Sequence, residues 1–248
     1  MTGTLIVTGG SRGIGAAICE LAARRGYDVV VNFSGDPAPA EAVAERVRAQ
    51  GRQALAVRAD VSREDDVHAL FDAAAELGRV TSLVNNAAVT GNTPGRLDEY
   101  DVDVVRRTLD VNVTGVFLCC REAVRRMSTR YGGTGGAIVN ISSTAARTGS
   151  AGEWVHYAAS KAAVDTMTFG LAQEVAGEGI RVNAVAPGMV HTGLHEAAGL
   201  PDRLEKFARL IPMGRAGQPA EIAEAVLWLL SPAASFTAGA VLDVGGGR

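Results

Sequence analysis

Short apolar runs alternate along this chain with stretches whose apolar residues recur every three or four positions. Thr4 to Thr8 is the first run, rich in β-branched residues, and Ile14, Ala17, Ile18, Leu21 and Ala22 follow at helical spacing. Gly26 closes that helix, as a C-terminal glycine does. The alternation then repeats. Asp28 to Phe33 reads as a strand, Pro37 to Gln50 as a helix and Gln53 to Ala59 as a strand. Ser62 can cap a helix running to about Leu77, and Ser82 to Asn85 is a fourth strand. One long helix is expected over Val102 to Arg130, before a Gly-rich break and a strand at Ala137 to Ile141. A helix over Val155 to Ala176, a strand over Arg181 to Ala186, a helix opened by Pro219 and a last strand at Ala240 to Val244 complete the pattern. Strand and helix in strict alternation predict a parallel sheet with helices on both faces. Continuous rather than alternating apolar strands agree with that, because such a sheet is buried on both sides. The expected fold is α/β, a doubly wound Rossmann-type sheet of about seven strands, forming a single domain over residues 1–248. The irregular stretch Met189 to Pro212 lies beyond the sixth strand, where a substrate-side lid is expected, since ligands of open α/β sheets sit at the carboxyl ends of strands.

Composition narrows the function. The net charge of -3 over 248 residues leaves no basic excess to neutralise phosphates, so no nucleic-acid partner is expected. The arginine pairs Arg24-Arg25, Arg106-Arg107 and Arg125-Arg126 fall in helical patterns and read as solvated faces. Cys19, Cys119 and Cys120 form no disulfide framework and read as small core residues in a reducing compartment. No signal segment, no membrane span and no metal-ligand spacing is visible, so a cytoplasmic location and no metal are expected.

Thr8-Gly9-Gly10-Ser11-Arg12-Gly13-Ile14-Gly15 joins the first strand to the first helix. A dinucleotide pyrophosphate needs close backbone approach and free N–H groups at a helix N-terminus, and side chains would obstruct both. Its place after a strand and before an amphipathic helix makes this run a phosphate cradle rather than a mere tight turn. Further along, Tyr157-Ala158-Ala159-Ser160-Lys161 puts a phenol and an ammonium on one helix face. A phenol of pKa near 10 is a poor base at neutral pH, and a neighbouring cation favours its ionised form. The pair is a plausible acid/base unit.

The glycine spacing, T-G-x-x-x-G-x-G as Thr8, Gly9, Gly13 and Gly15, together with the Tyr157/Lys161 pair, resembles the short-chain dehydrogenase/reductase family over essentially the whole chain. The resemblance implies an NADP(H)- or NAD(H)-dependent oxidoreductase acting on a small-molecule carbonyl or secondary alcohol. It implies Tyr157 as acid/base, Lys161 as the cation that lowers its pKa and binds the nicotinamide ribose, and Ser143 as the group that orients the substrate oxygen, with Ser142 as the lesser contender. Asn112 is implied to hold a water in a proton relay. The cofactor would meet Gly9, Ser11, Arg12, Gly13, Ile14 and Gly15, then Asn32, Phe33 and Ser34 at the second strand's end. Asp60 and Val61, then Asn86 and Ala87, follow. Pro187, Gly188, Val190 and Thr192 complete the set with Tyr157 and Lys161. Ala88 stands where the family's turn carries glycine, and alanine would be strained there if positive φ were required. The resemblance of the C-terminal strand and tail implies a homotetramer or homodimer.

An acid at the end of the second strand would bond the ribose 2′-hydroxyl and repel a 2′-phosphate. Asn32 is neutral, and Arg12 can face a phosphate, so NADP(H) is favoured; Asp36 keeps NAD(H) open. Candidate pocket residues are Val89, Thr90, Trp154, His156, Met189, His191 and His195, by position only. His156 points about 100° away from Tyr157 on a helix, which favours a structural role. A non-catalytic NADP-binding regulatory protein is the rival reading, and such proteins usually lack the tyrosine or the lysine.

Overall fold

A computed structural model describes residues 3–91, 94–193, 200 and 202–247. Seven strands form one sheet: β1 (Thr4–Val7), β2 (Asp28–Phe33), β3 (Ala54–Arg58), β4 (Val80–Asn85), β5 (Gly136–Ile141), β6 (Ile180–Pro187) and β7 (Val241–Val244). Their order is β3-β2-β1-β4-β5-β6-β7, and every neighbouring pair is parallel. The order reverses between β1 and β4. Connections leave these two strands in opposite directions, so a crevice opens at their carboxyl ends.

Alternation within each strand feeds two cores. Leu5, Val7, Val29 and Val31 pack on one face with α1 (Gly13–Arg24), α2 (Ala38–Arg48) and the last long helix (Pro219–Leu230) through Ile18, Val43 and Leu227. Ile6, Val30, Leu83 and Ile138 pack on the other with Phe71, Cys119 and Met167. Those three residues belong to α3 (Glu64–Leu77), α5 (Gly115–Met127) and α7 (Val155–Val175). α4 (Val102–Leu109) precedes α5, and α6 (Ala145–Thr148) precedes α7. The short α8 (Arg203–Ala208) lies between β6 and the last long helix, α9. All three cysteines are buried, and burial pushes their thiols upward.

Two local expectations change. The long helix over Val102 to Arg130 is broken: a π turn at Asp110–Thr114 separates α4 from α5. Wide turns of this kind bulge one residue out of a helix and cluster at functional sites. Ser62 does not cap α3, whose N-cap position is Arg63; its hydroxyl donates to Asp60 Oδ1 at 2.7 Å instead. No helix of the described residues is long and apolar enough to cross a membrane.

Candidate active site

The glycine loop and the turn after β4 meet in the crevice, backbone against backbone. A Cβ on Gly15 would lie 2.3 Å from the Gly9 carbonyl oxygen and 2.7 Å from Asn86 Nδ2. Gly9 has φ +61° and packs on Ala87, whose Cα would be 2.9 Å from an added Cβ. Thr8 and Asn86 lock this contact. Asn86 Nδ2 donates to the carbonyls of Thr8 (3.0 Å) and Gly9 (2.9 Å), while Thr8 Oγ1 accepts from the N–H groups of Asn86 (3.0 Å) and Ala87 (3.1 Å). α1 starts at Gly13 with no side-chain cap and no acid in its first turn. Its first N–H groups therefore have no acceptor within the helix and suit an anion. Thr192 closes the same spot from beyond β6, its methyl 3.4 Å from where a Gly13 Cβ would stand. Val190 bridges to Gly217, and Gly188 packs on Gly245, which fix the segment leaving β6. Ser11 and Ile14 are half-buried at the loop's rim. These features fit a nicotinamide dinucleotide: a cradle that any Cβ would fill, on a helix end that attracts phosphate. Ala88 lies outside the positive-φ region, so alanine costs no backbone strain there.

Asn32 lies near the end of β2 as expected, but its amide turns inward. It is buried and its amide is spent on backbone: Oδ1 accepts from Gly9 N–H at 3.2 Å, and Nδ2 donates to the carbonyls of Ala59 (3.0 Å) and Val57 (3.3 Å). It ties the glycine loop to β2 and β3 and does not offer its amide to a cofactor. Phe33 is buried, and Ser34 is the exposed residue beyond the strand end. Arg12 is exposed. Asp36 Oδ1 accepts from Ala38 N–H at 3.0 Å, which commits its carboxylate to the start of α2. Asp60 is held by Ser62 and by Arg107 at 2.8 Å, and these partners lower its pKa against the opposing effect of burial. Val61 is buried against Gly115.

The second half of the site hangs on β5 and α7. Ser143 and Tyr157 line one cleft of about 460 Å³, and Ser143 Oγ accepts from the Ala145 N–H at 3.1 Å. Ser142 also borders the cleft but is buried, and its Oγ donates to the Lys161 carbonyl at 3.4 Å. Lys161 is buried; Nζ donates to the Ile141 carbonyl at 2.7 Å and stands 5.6 Å from the Tyr157 ring centroid. Desolvation pulls the ammonium down to about 8, against the opposing charge of Asp165. Burial pushes the phenol up to about 12, only partly offset by Ser143. Asp165, one turn beyond Lys161, escaped the sequence reading although its i,i+4 spacing on the same helix was available.

Asn112 sits in the π turn, fully buried. Its Oδ1 accepts from Val89 N–H at 2.8 Å, and Nδ2 donates to the Val89 carbonyl (2.9 Å) and to Ser160 Oγ (3.0 Å). It clamps the loop after β4 to α7 beside Tyr157. Of the pocket candidates, Thr90, Trp154 and Met189 line the cleft. His156 Nε2 is instead bonded to the Thr90 carbonyl at 2.9 Å, and its ring meets Tyr100 edge-on. His191 is exposed, and His195 lies outside the described residues.

Residues 9–248 match a family profile described as enoyl-(acyl carrier protein) reductase. An uncharacterized oxidoreductase of Escherichia coli (strain K12) is 47% identical over 244 residues, 98% of each chain. A cis-4-hydroxycyclohexanecarboxylate dehydrogenase of Sinomonas cyclohexanicum is 46% identical over 245 residues, covering 98% of this chain and 94% of the relative. Among solved structures, a short-chain type dehydrogenase/reductase from Mycobacterium marinum superposes with TM-score 0.92 at 33% identity, covering 98% of this chain and 94% of that one. A blue fluorescent protein from a metagenomic library, in complex with NADPH, superposes with TM-score 0.89 at 33% identity, covering 98% and 96%. With the glycine cradle, the Tyr157/Lys161 helix and this match over nearly its full length, the chain belongs to the short-chain dehydrogenase/reductase family of oxidoreductases.

Proposed function

We propose that residues 1–248 act as one cofactor-binding and catalytic unit, an NADP(H)-dependent oxidoreductase that interconverts a carbonyl and a secondary alcohol with Tyr157 as acid/base. The observation that carries this reading is the Ser143–Tyr157 pair on the wall of one cleft, with the Lys161 ammonium buried behind it. The nicotinamide, when bound, supplies or accepts the hydride. In reduction, the Tyr157 phenol donates its proton to the carbonyl oxygen; in oxidation, it takes the hydroxyl proton. A phenol pushed upward by burial is protonated at neutral pH and suits the reductive direction. Ser143 holds the substrate oxygen against the phenol. Lys161 supplies the site's buried positive charge and would hold the ribose hydroxyls. Asn112 keeps the loop carrying Val89 and Thr90 in register with α7, and its place beside Ser160 suits the relay role as well.

NADP(H) is favoured over NAD(H) by the side chains described around the end of β2. Asn32 is neutral and turned inward, Asp36 is committed to α2, and Arg12 stands exposed at the loop. The NADPH-bound structural neighbour supports this choice. The small-molecule substrate is an alcohol or carbonyl, as the name of the Sinomonas relative suggests. A homotetramer or homodimer is supported by the exposed Phe117 and Phe169 on α5 and α7, and a cytoplasmic location by the buried free thiols. Tyr157→Phe tests the central step: turnover is lost while NADPH still quenches or shifts in fluorescence titration. Turnover at the wild-type rate in this variant removes Tyr157 from the mechanism.

A further inference from the structure

The cleft holds a feature that the acid/base step does not use. Trp154 stands on its wall, almost fully buried, and its indole N–H has no hydrogen-bond partner. Above it lies the guanidinium of Arg203 from α8, 5.0 Å from the indole centroid and 4.9 Å from the Phe207 ring. Arg203 is only 11% exposed at its side chain. Both of its terminal nitrogens are taken by the two carboxylate oxygens of Glu153, while Nε–H is buried and also without a partner. Among the described residues, Glu153 and Arg203 are the charged residues on this wall. Two donors and a cation are therefore gathered where the start of α7 meets α8, and among the described residues the anion beside them belongs to the protein. Buried donors are ordinarily satisfied, and a cation stacked between aromatic rings is a recognition device for planar anions.

We infer that Trp154 and Arg203 form a subsite for a second group of the substrate, a carboxylate remote from the reacting carbonyl, with Glu153 standing in for it when no substrate is bound. This rests on reading the cleft as the substrate pocket, and it deepens that reading by assigning a substrate class: oxo or hydroxy acids rather than neutral ketones and alcohols. Exchange of Glu153 for the substrate carboxylate preserves the ion pair of Arg203, and the two spare N–H groups gain acceptors. The same exchange couples substrate entry to the position of α8, since Arg203 and Phe207 both belong to that helix.

The test does not depend on turnover. The chain has two tryptophans, and Trp228 on α9 does not line the cleft. In Trp228→Phe, emission reports Trp154 alone. Titration with hexanoate should change it saturably, and hexan-1-ol should bind at least about tenfold more weakly. Adding Arg203→Gln should remove the preference for the carboxylate, Arg203→Lys should restore part of it, and Glu153→Gln, which removes the competing anion, should tighten hexanoate severalfold. Equal affinity for hexanoate and hexan-1-ol would overturn the inference, as would an unchanged preference in Arg203→Gln. Either result leaves the Tyr157 reading intact, because that reading is scored separately, by the loss of turnover in Tyr157→Phe relative to the wild type on whichever carbonyl substrate is turned over.

Discussion

Replacing Lys161 by methionine isolates the electrostatics of the site. Lys161 is buried, and desolvation takes its ammonium from 10.5 to about 8. Each pKa unit is worth about 1.4 kcal/mol, so keeping the lysine charged in the folded state costs on the order of 3 kcal/mol. Because the folded pKa is depressed, the unfolded chain binds more protons between the two values, and stability rises with pH across that window. The penalty is full below about pH 8 and fades as pH approaches the unfolded value near 10.4. Methionine has no such dependence. It also leaves the Ile141 carbonyl without its 2.7 Å donor, which adds a nearly constant offset. Urea unfolding of both proteins at several pH values gives the difference directly, and titrating groups that do not interact with Lys161 cancel in the subtraction. The wild type should gain about 2–3 kcal/mol on Lys161→Met between pH 7 and pH 10. A difference that stays flat over that range would refute the argument, because it would mean that Lys161 is not desolvated. Turnover should be lost in the variant whatever its stability, which would make the charge a functional asset held against the fold.

Asp165 raises the Lys161 pKa through its charge, so Asp165→Asn should move any alkaline limb of the kcat/KM profile that belongs to Lys161 toward lower pH; an unmoved limb assigns it elsewhere. Gly15→Ala places a methyl 2.3 Å from the Gly9 carbonyl, and overpacking of about 1–3 kcal/mol outweighs the roughly 1 kcal/mol gained in helix propensity. Thermal melts should show the loss, NADPH titration should show weakened binding, and unchanged affinity would remove the cradle from the cofactor site. Arg12→Ala should raise the KM for NADPH about 10- to 100-fold and leave that for NADH nearly unchanged. Equal changes for the two cofactors would sink the NADP(H) assignment.

The sheet was legible because its physics is local. Val29, Val30 and Val31 declare a strand buried on both faces, and Gly26 and Pro219 mark helix ends by backbone chemistry alone. Tyr157 and Lys161 were legible because four residues on a helix make neighbours. What the sequence hid depends on contacts between distant segments. Nothing near Asn112 announces a π turn, which forms where one residue must reach both Val89 and Ser160. Glu153 and Arg203 are ordinary charges until the start of α7 and α8 come together. Asn32 was placed correctly at the end of β2, but whether its amide faces the ligand or the backbone is a matter of side-chain direction, which spacing does not determine. The phenol's upward shift follows in the same way from burial.

The inward turn of Asn32 has a consequence for how such an enzyme can change cofactor. An aspartate there would set a carboxylate against the carbonyls of Val57 and Ala59 in place of an amide that donates to them. The direct route to a different nucleotide is therefore closed by folding rather than by binding. Variation is confined to Arg12 and Ser34, which are exposed and carry little of the scaffold. Preference for one nicotinamide over another can drift there in single steps, in a library or over generations, while the residue that built the crevice stays fixed.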